Sequence, residues 1–201
     1  MKFANVLRAC RVEKPRHFRL ADHDPAECFG FSTDVEKVKP LLADGVARIE
    51  KLQQCLYSDG RWAVLIVLQG MDAAGKDGIV KHVMSGVNPQ GCEVHAFKAP
   101  SAEELAHDFL WRAAKVLPGR GHIGIFNRSY YEEVLVVRVH PEMLKQEKLP
   151  PGAAGKDLWR HRFKEIRAFE RHLVRGGTRV LSSASASWHG STSRPNAGSS
   201  R

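Results

Sequence analysis

Residues suited to phosphate chemistry meet in one short stretch, LIVLQGMDAAGKDGIVKHV, from Leu65 to Val83. Its centre, GMDAAGK, fits the pattern G-x-x-x-x-G-K, in which a glycine-rich backbone turns its N–H groups around an anion. Gly70 and Gly75 permit that turn, and Lys76 carries a charge that can reach a terminal phosphate. The helix that follows adds the positive end of its dipole. Ala73, Ala74, Asp77, Gly78 and Lys81 complete the expected phosphate-binding set. The pattern lies between an apolar strand and a helix, which separates it from a chance glycine-rich turn.

Two acids make the loop unusual. Its lysine is normally followed by Ser or Thr, whose hydroxyl helps to hold Mg²⁺; here the next residue is Asp77, and Asp72 sits inside the loop. A carboxylate in an anion cradle repels its ligand unless a cation lies between them. Asp72 therefore reads as a Mg²⁺ ligand or as a group orienting a nucleophilic phosphate oxygen. The plainer alternative is a turn residue bonding its own backbone. For Asp77, at the opening of the helix, a capping role is the leading reading.

A second constellation is HIGIFNRSYYEEV, residues 122–134. It follows a strand, and sites in parallel α/β proteins lie beyond the carboxyl ends of strands. Asn127 stands where such a strand commonly ends in Asp. Arg128 can grip phosphate oxygens with two parallel bonds, and with Asp72 and Lys76 it forms the expected catalytic set. Asn127, Arg128 and Lys98 (from FKAPSAEE) form the expected nucleotide-binding set; Glu132 and Glu133 could each add a metal contact, and Glu133 joins Asp72 as the expected metal ligand. Bland readings stand beside these: a helix cap for Asn127 or Ser129, a surface ion pair for Arg128, and a solvated face for Glu132, Glu133 and Lys98. His82 reads as structural or exposed.

The elements that position these residues alternate. Residues 1–33 show no sustained period and read as an irregular N-terminal arm. From Asp34, Val35, Val38, Leu41, Leu42, Val46, Ile49, Leu52 and Leu56 follow helical spacing, with Pro40 and Gly45 as candidate interruptions and a stop at Asp59-Gly60. RWAVLIVLQG is a continuous apolar strand of the kind buried on both faces. CEVHAF, HIGIFN and TRVL read as three further strands. Between them lie helices over GKDGIVKHVMSGV, SAEELAHDFLWRAAKVL with Ser101 as N-cap, SYYEEVLVVRV and KDLWRHRFKEIRAFERHLVRGG. In the last, Leu158, Phe163, Ile166, Phe169 and Leu173 share one side, and Lys and Arg line the other. This alternation predicts an α/β fold with a parallel sheet flanked by helices in three layers. After Leu181 the chain becomes SSASASWHGSTSRPNAGSSR, which has no period and reads as a disordered Ser-rich tail over 182–201.

The formal charge of +9, from 31 basic and 22 acidic residues, should attract polyanions. Basic and aromatic residues form no stripe, which argues against a nucleic-acid surface. Cys10, Cys28, Cys55 and Cys92 form no C-x-x-C pair, so reduced thiols in a cytoplasmic protein are expected. The longest apolar run, Ala63 to Leu68, is too short to span a bilayer. The N-terminus lacks the apolar core of a secretory signal.

The wording of LQGMDAAGKDGIVKHVMSGVNPQGCEVHAFKAPSAEELAHDFLWR, GHIGIFNRSYYEEVLVVRVHPE and KDLWRHRFKEIRAFERHLVRGGTRVL closely resembles the family-2 polyphosphate kinases. The resemblance runs over roughly residues 20–181 and implies a P-loop kinase-like fold in residues 34–181. It implies reversible phosphoryl transfer between inorganic polyphosphate and a nucleoside di- or monophosphate, with Mg²⁺ or Mn²⁺. In that family the loop acid, here Asp72, organises metal and nucleophile, Lys76 neutralises phosphate, and Arg128 holds the transferring group. A homo-oligomer is also compatible with it. Family members continue past GTRVL into a basic helical lid and a region rich in Trp and Pro. The Ser-rich tail stands in that place here, as truncation or a reading-frame change would produce. On this reading the lid region is missing and the domain incomplete, which bears on activity, because a lid adds cations and excludes water. A binding remnant without turnover and an ATP-dependent nucleoside monophosphate kinase are the alternative readings.

Overall fold

The computed structural model describes residues 8, 10–12, 17–23, 27, 31, 34–70 and 75–185. Most of the expected N-terminal arm, and residues 186–201 of the expected tail, lie outside the described residues.

Helix α1 (Val35–Asp59) starts at Asp34, whose side chain accepts from the Glu36 N–H, and closes at Gly60 in the left-handed conformation (φ 60°). Pro40 and Gly45 do not interrupt it; 25 residues of continuous helix absorb the one backbone bond that proline removes. Its apolar stripe is buried only in part. Ile49 and Leu56 pack on the sheet, whereas Leu41, Leu42 and Leu52 are exposed.

Strand β1 (Ala63–Gly70) is one of two inner strands, in keeping with its continuous apolar run. Helix α2 (Lys76–Val83) follows the glycine loop, and β2 (Cys92–Ala96), β3 (Ile123–Asn127) and β4 (Thr178–Ser185) complete a four-stranded sheet in the order β2-β3-β1-β4. All three pairings are parallel, with Leu65 opposite Gly124 on one side and Val180 on the other. The strand alternation of side chains then divides two cores. Leu65, Val67 and Phe126 face one layer with Tyr130, Val134, Ile166 and Leu173. Leu68, Ile123 and Ile125 face the other with Ile49, Leu56 and Val80. Burying each such side chain contributes about 1.5–3 kcal/mol, so the sheet is held from both sides as the three-layer expectation requires.

The remaining helices are shorter than the spacing predicts. SAEELAHDFLWRAAKVL forms two pieces, α3 (Ala102–Leu105) and α4 (Trp111–Ala114). Ser101 and Glu104 make a reciprocal capping box at the first. The break lies at Asp108, whose side chain accepts from the Leu110 N–H at 2.7 Å and so competes with helix continuation. SYYEEVLVVRV narrows to α5 (Glu132–Leu135), in keeping with the low helix propensity of its run of valines. After α6 (Pro141–Leu144) and a 3₁₀ turn at Lys145–Glu147, the long helix α7 (Leu158–Arg175) lies where its pattern predicts.

Two further sequence expectations change. Strand β4 does not stop at Leu181: Ser182 to Ser185 continue the ladder opposite Val67 to Gly70. Backbone pairing requires no apolar side chain, so composition placed the tail boundary four residues early. Arg162 belongs to the apolar side of α7, not its charged side, at 2% exposure. Its spacing of three from Trp159 and four to Ile166 puts it on that stripe.

Candidate functional site

The sheet order reverses between β1 and β3. The chain leaves β1 for the outer strand β2, returns to β3, then crosses to β4 on the far side of β1. Loops leaving the carboxyl ends of β1 and β3 therefore part to opposite faces and leave a crevice, the usual ligand position in an open parallel sheet.

Gly70 ends β1, and Gly75 opens α2 at φ 75°, a conformation that favours glycine. Lys76 is buried, with its Nζ donating to the Gly70 carbonyl oxygen at 2.8 Å. The ammonium is thus folded back onto the carboxyl end of β1. Gly78 lies in the first turns of α2, and Lys81 in its exposed last turn. Asp72, Ala73 and Ala74 lie outside the described residues.

Across the crevice, Asn127 ends β3. Its Nδ2 donates to Asp77 Oδ1 at 2.6 Å. This contact revises the capping reading of Asp77: Gly75 holds the cap position without a side-chain bond, and the carboxylate reaches to the neighbouring strand. The pair exchanges the usual roles, in which a hydroxyl follows the lysine and an acid ends the strand. The acid here is on the helix and the neutral amide on the strand.

Arg128 follows with φ 64°, a costly conformation for a residue with a Cβ. Its backbone N–H bonds the Leu68 carbonyl at 2.9 Å, tying the arginine loop to β1. Around it lies a network in which Gln69 was not anticipated. Ser129, wholly buried, donates from Oγ to Gln69 Oε1 at 3.2 Å. Gln69 Nε2 donates to Glu132 Oε1. The other Glu132 oxygen lies 4.0 Å from Arg128 Nη1. A polar Gln closing an apolar strand, one residue before the loop glycine, was the available signal.

Lys98 follows β2 at the same edge of the sheet, exposed, and its carbonyl accepts from the buried Arg112 Nη1 at 3.0 Å. Lys76, Lys98 and Arg128 thus all belong to the carboxyl edge.

Glu133 does not. Its side chain is buried behind the sheet, 3.1 Å from Arg162 Nη1, and Arg162 Nη2 also bonds Glu147. The Arg162 guanidinium lies over the rings of Phe109 and Trp159 at 5.0 and 5.5 Å. Burial, reinforced by the Glu147 charge and opposed by Arg162, pushes the Glu133 carboxyl up to about 7. A carboxyl group enclosed in this way is not presented to a metal at the crevice, so the expected ligand role of Glu133 is corrected to a buried contact with Arg162.

Among the described residues no three His, Cys, Asp or Glu side chains group to hold a metal by themselves. The remaining donor chemistry fits a divalent cation in a different manner. Such an ion commonly takes one or two carboxylates and fills its shell with phosphate oxygens and water. Asp77 is exposed, and Asn127 orients one of its oxygens.

A central parallel strand, a glycine turn with a buried lysine and an arginine just past the end of the adjacent strand define a P-loop kinase-like fold. The sequence model described as polyphosphate kinase 2 matches residues 32–183, and the chain belongs to that family. An ADP-polyphosphate phosphotransferase of Rhodopseudomonas palustris is 50% identical over 176 residues, covering 84% of this chain and 61% of that protein. An AMP/ADP-polyphosphate phosphotransferase of Meiothermus ruber is 42% identical over 175 residues, covering 87% and 61%. The crystal structure of polyphosphate kinase 2 from Arthrobacter aurescens superposes with a TM-score of 0.74 at 40% identity, covering 86% of this chain and 58% of that one. The chain thus spans about three-fifths of the length of these relatives.

Proposed function

We propose that this protein transfers a phosphoryl group between inorganic polyphosphate and a nucleoside di- or monophosphate, in the cytoplasm. The observation that carries the reading is the approach of buried Lys76 and the Asp77–Asn127 pair across the β1/β3 crevice, beside the Arg128 loop. Family membership and the names of its relatives support polyphosphate as the donor.

The glycine-loop N–H groups and Lys76 bind the phosphate being transferred and spread its charge. Arg128 grips the same group from the β3 side, so that donor and acceptor oxygens are held in line. This is the main contribution a protein makes to phosphoryl transfer. Asp77 and Asp72 are the residues that would hold Mg²⁺ or Mn²⁺, which neutralises phosphate oxygens when bound. Asn127 keeps the Asp77 carboxylate aimed at the crevice. Lys98 lies nearest the acceptor nucleotide in this reading, and the excess of positive charge draws in a long polyanion.

The test compares polyphosphate with ATP as donor to AMP, ADP and GDP. Nucleotide-dependent consumption of polyphosphate, reduced about 10³-fold by Lys76→Ala, is the expected result. Turnover with ATP alone would identify a nucleoside monophosphate kinase instead, and salt-sensitive polyphosphate binding without turnover a binding protein.

A further inference from the structure

We propose that Glu132, held by Gln69, is a positioning residue that sets the Arg128 guanidinium and couples it to the phosphate loop. Three observations support this assignment. First, a carboxylate with only 15% side-chain exposure sits beside the anion crevice, where by charge alone it would repel the substrate. Such a group needs commitments on both sides. Glu132 has them: one oxygen accepts from Gln69 Nε2, and the other faces Arg128 Nη1 at 4.0 Å.

Second, the chain of bonds is continuous and reaches from one strand to the next. The Tyr131 N–H donates to Ser129 Oγ at 3.1 Å, Ser129 Oγ donates to Gln69 Oε1, and the Gln69 amide donates to Glu132. Gln69 is the residue immediately before the loop glycine Gly70, whose carbonyl holds Lys76. A shift at Gln69–Gly70 would thus pass by hydrogen bonds to Glu132, and from its second oxygen to Arg128 by charge alone. Third, Arg128 is in a left-handed conformation with its N–H tied to Leu68. That fixes where its side chain leaves the backbone but not where a long, flexible arginine ends. A charge beside the guanidinium narrows where it ends, and Glu132 is placed to supply one.

The assignment rests on the phosphotransferase reading only for its consequence in turnover; the coupling itself can be read from anion binding. Tripolyphosphate affinity is measured for the full chain and for Glu132→Gln, Arg128→Ala and the double variant, at one salt concentration, with melting temperatures as the check on folding. Removing a carboxylate from an anion site should, by charge alone, tighten binding equally in both arginine backgrounds. Positioning predicts non-additivity: the effect of Glu132→Gln should differ by at least about five-fold between chains with and without Arg128. Additivity within two-fold would overturn the assignment.

If Glu132→Gln fails to fold, the exchanged pair Gln69→Glu with Glu132→Gln keeps an amide–carboxylate contact and moves the charge off α5. It should restore the melting temperature and not the coupling; restored coupling would also overturn the assignment. In turnover, Glu132→Gln should lower kcat about ten-fold while the KM for polyphosphate changes less than three-fold. An unchanged kcat in an active enzyme counts against positioning. A wild-type chain without turnover counts against the functional reading alone.

Discussion

Glu132 and Glu133 are neighbours in the chain, and each lies beside an arginine, yet their surroundings differ. Glu132 is at the carboxyl edge of the sheet, 4.0 Å from an Arg128 whose side chain is 37% exposed. Glu133 is behind the sheet, 3.1 Å from an Arg162 whose side chain is 3% exposed. The first pair is loose and open to an incoming anion. The second is enclosed by Phe109 and Trp159 and shared with Glu147. Similar residue types therefore do different work. An arginine more than a third exposed at the crevice can meet an incoming phosphate, whereas one bracketed by two carboxylates and two rings is part of the core. Desolvation decides which is which.

The comparison can be broken most forcefully from the buried side. Arg162→Ala leaves Glu133 and Glu147 facing each other without a counter-charge, and should lower the unfolding free energy by about 3–5 kcal/mol in urea denaturation. A loss under 1 kcal/mol would mean that the pair is hydrated and the contrast misdrawn. At the open site, Arg128→Ala should reduce polyphosphate-dependent turnover about 100-fold and leave the denaturation midpoint within experimental scatter. A large drop in that midpoint would assign Arg128 to the core as well.

A smaller effect sharpens the same contrast through pH. The folded chain holds a proton on Glu133 up to about pH 7, whereas the unfolded chain releases it near 4.5. Between those values the folded state binds more protons, so this group's stabilising contribution is complete below 4.5 and is lost as pH rises through 7. Glu133→Gln should flatten that decline, narrowing the difference in melting temperature between pH 5 and pH 7.5 by several degrees. An unchanged profile would place the proton elsewhere.

Much of the fold was legible because its signals are local. The run AVLIVLQG could only be a strand buried on both faces, and the glycine-lysine turn after it could only precede a helix. The stripe of α7 was visible in its spacing. The placement of Lys76, Asn127 and Arg128 at the carboxyl edge was legible for the same reason, since each lies at or beyond the end of a strand. What escaped were contacts between segments far apart in sequence. Gln69 meets Glu132 across 63 positions and Asn127 meets Asp77 across 50. Nothing near Asp77 announces that its carboxylate will reach a strand instead of capping its helix.

Residue order thus determined which segments alternate as strand and helix, and which backbone turns can cradle an anion, because hydrophobic period and glycine freedom act within a few residues. Only the assembled sheet decided that Glu132 faces the crevice while Glu133 and Arg162 are buried. Consecutive side chains on a helical turn leave it about 100° apart. Which direction meets water and which meets protein depends on the layers packed around them.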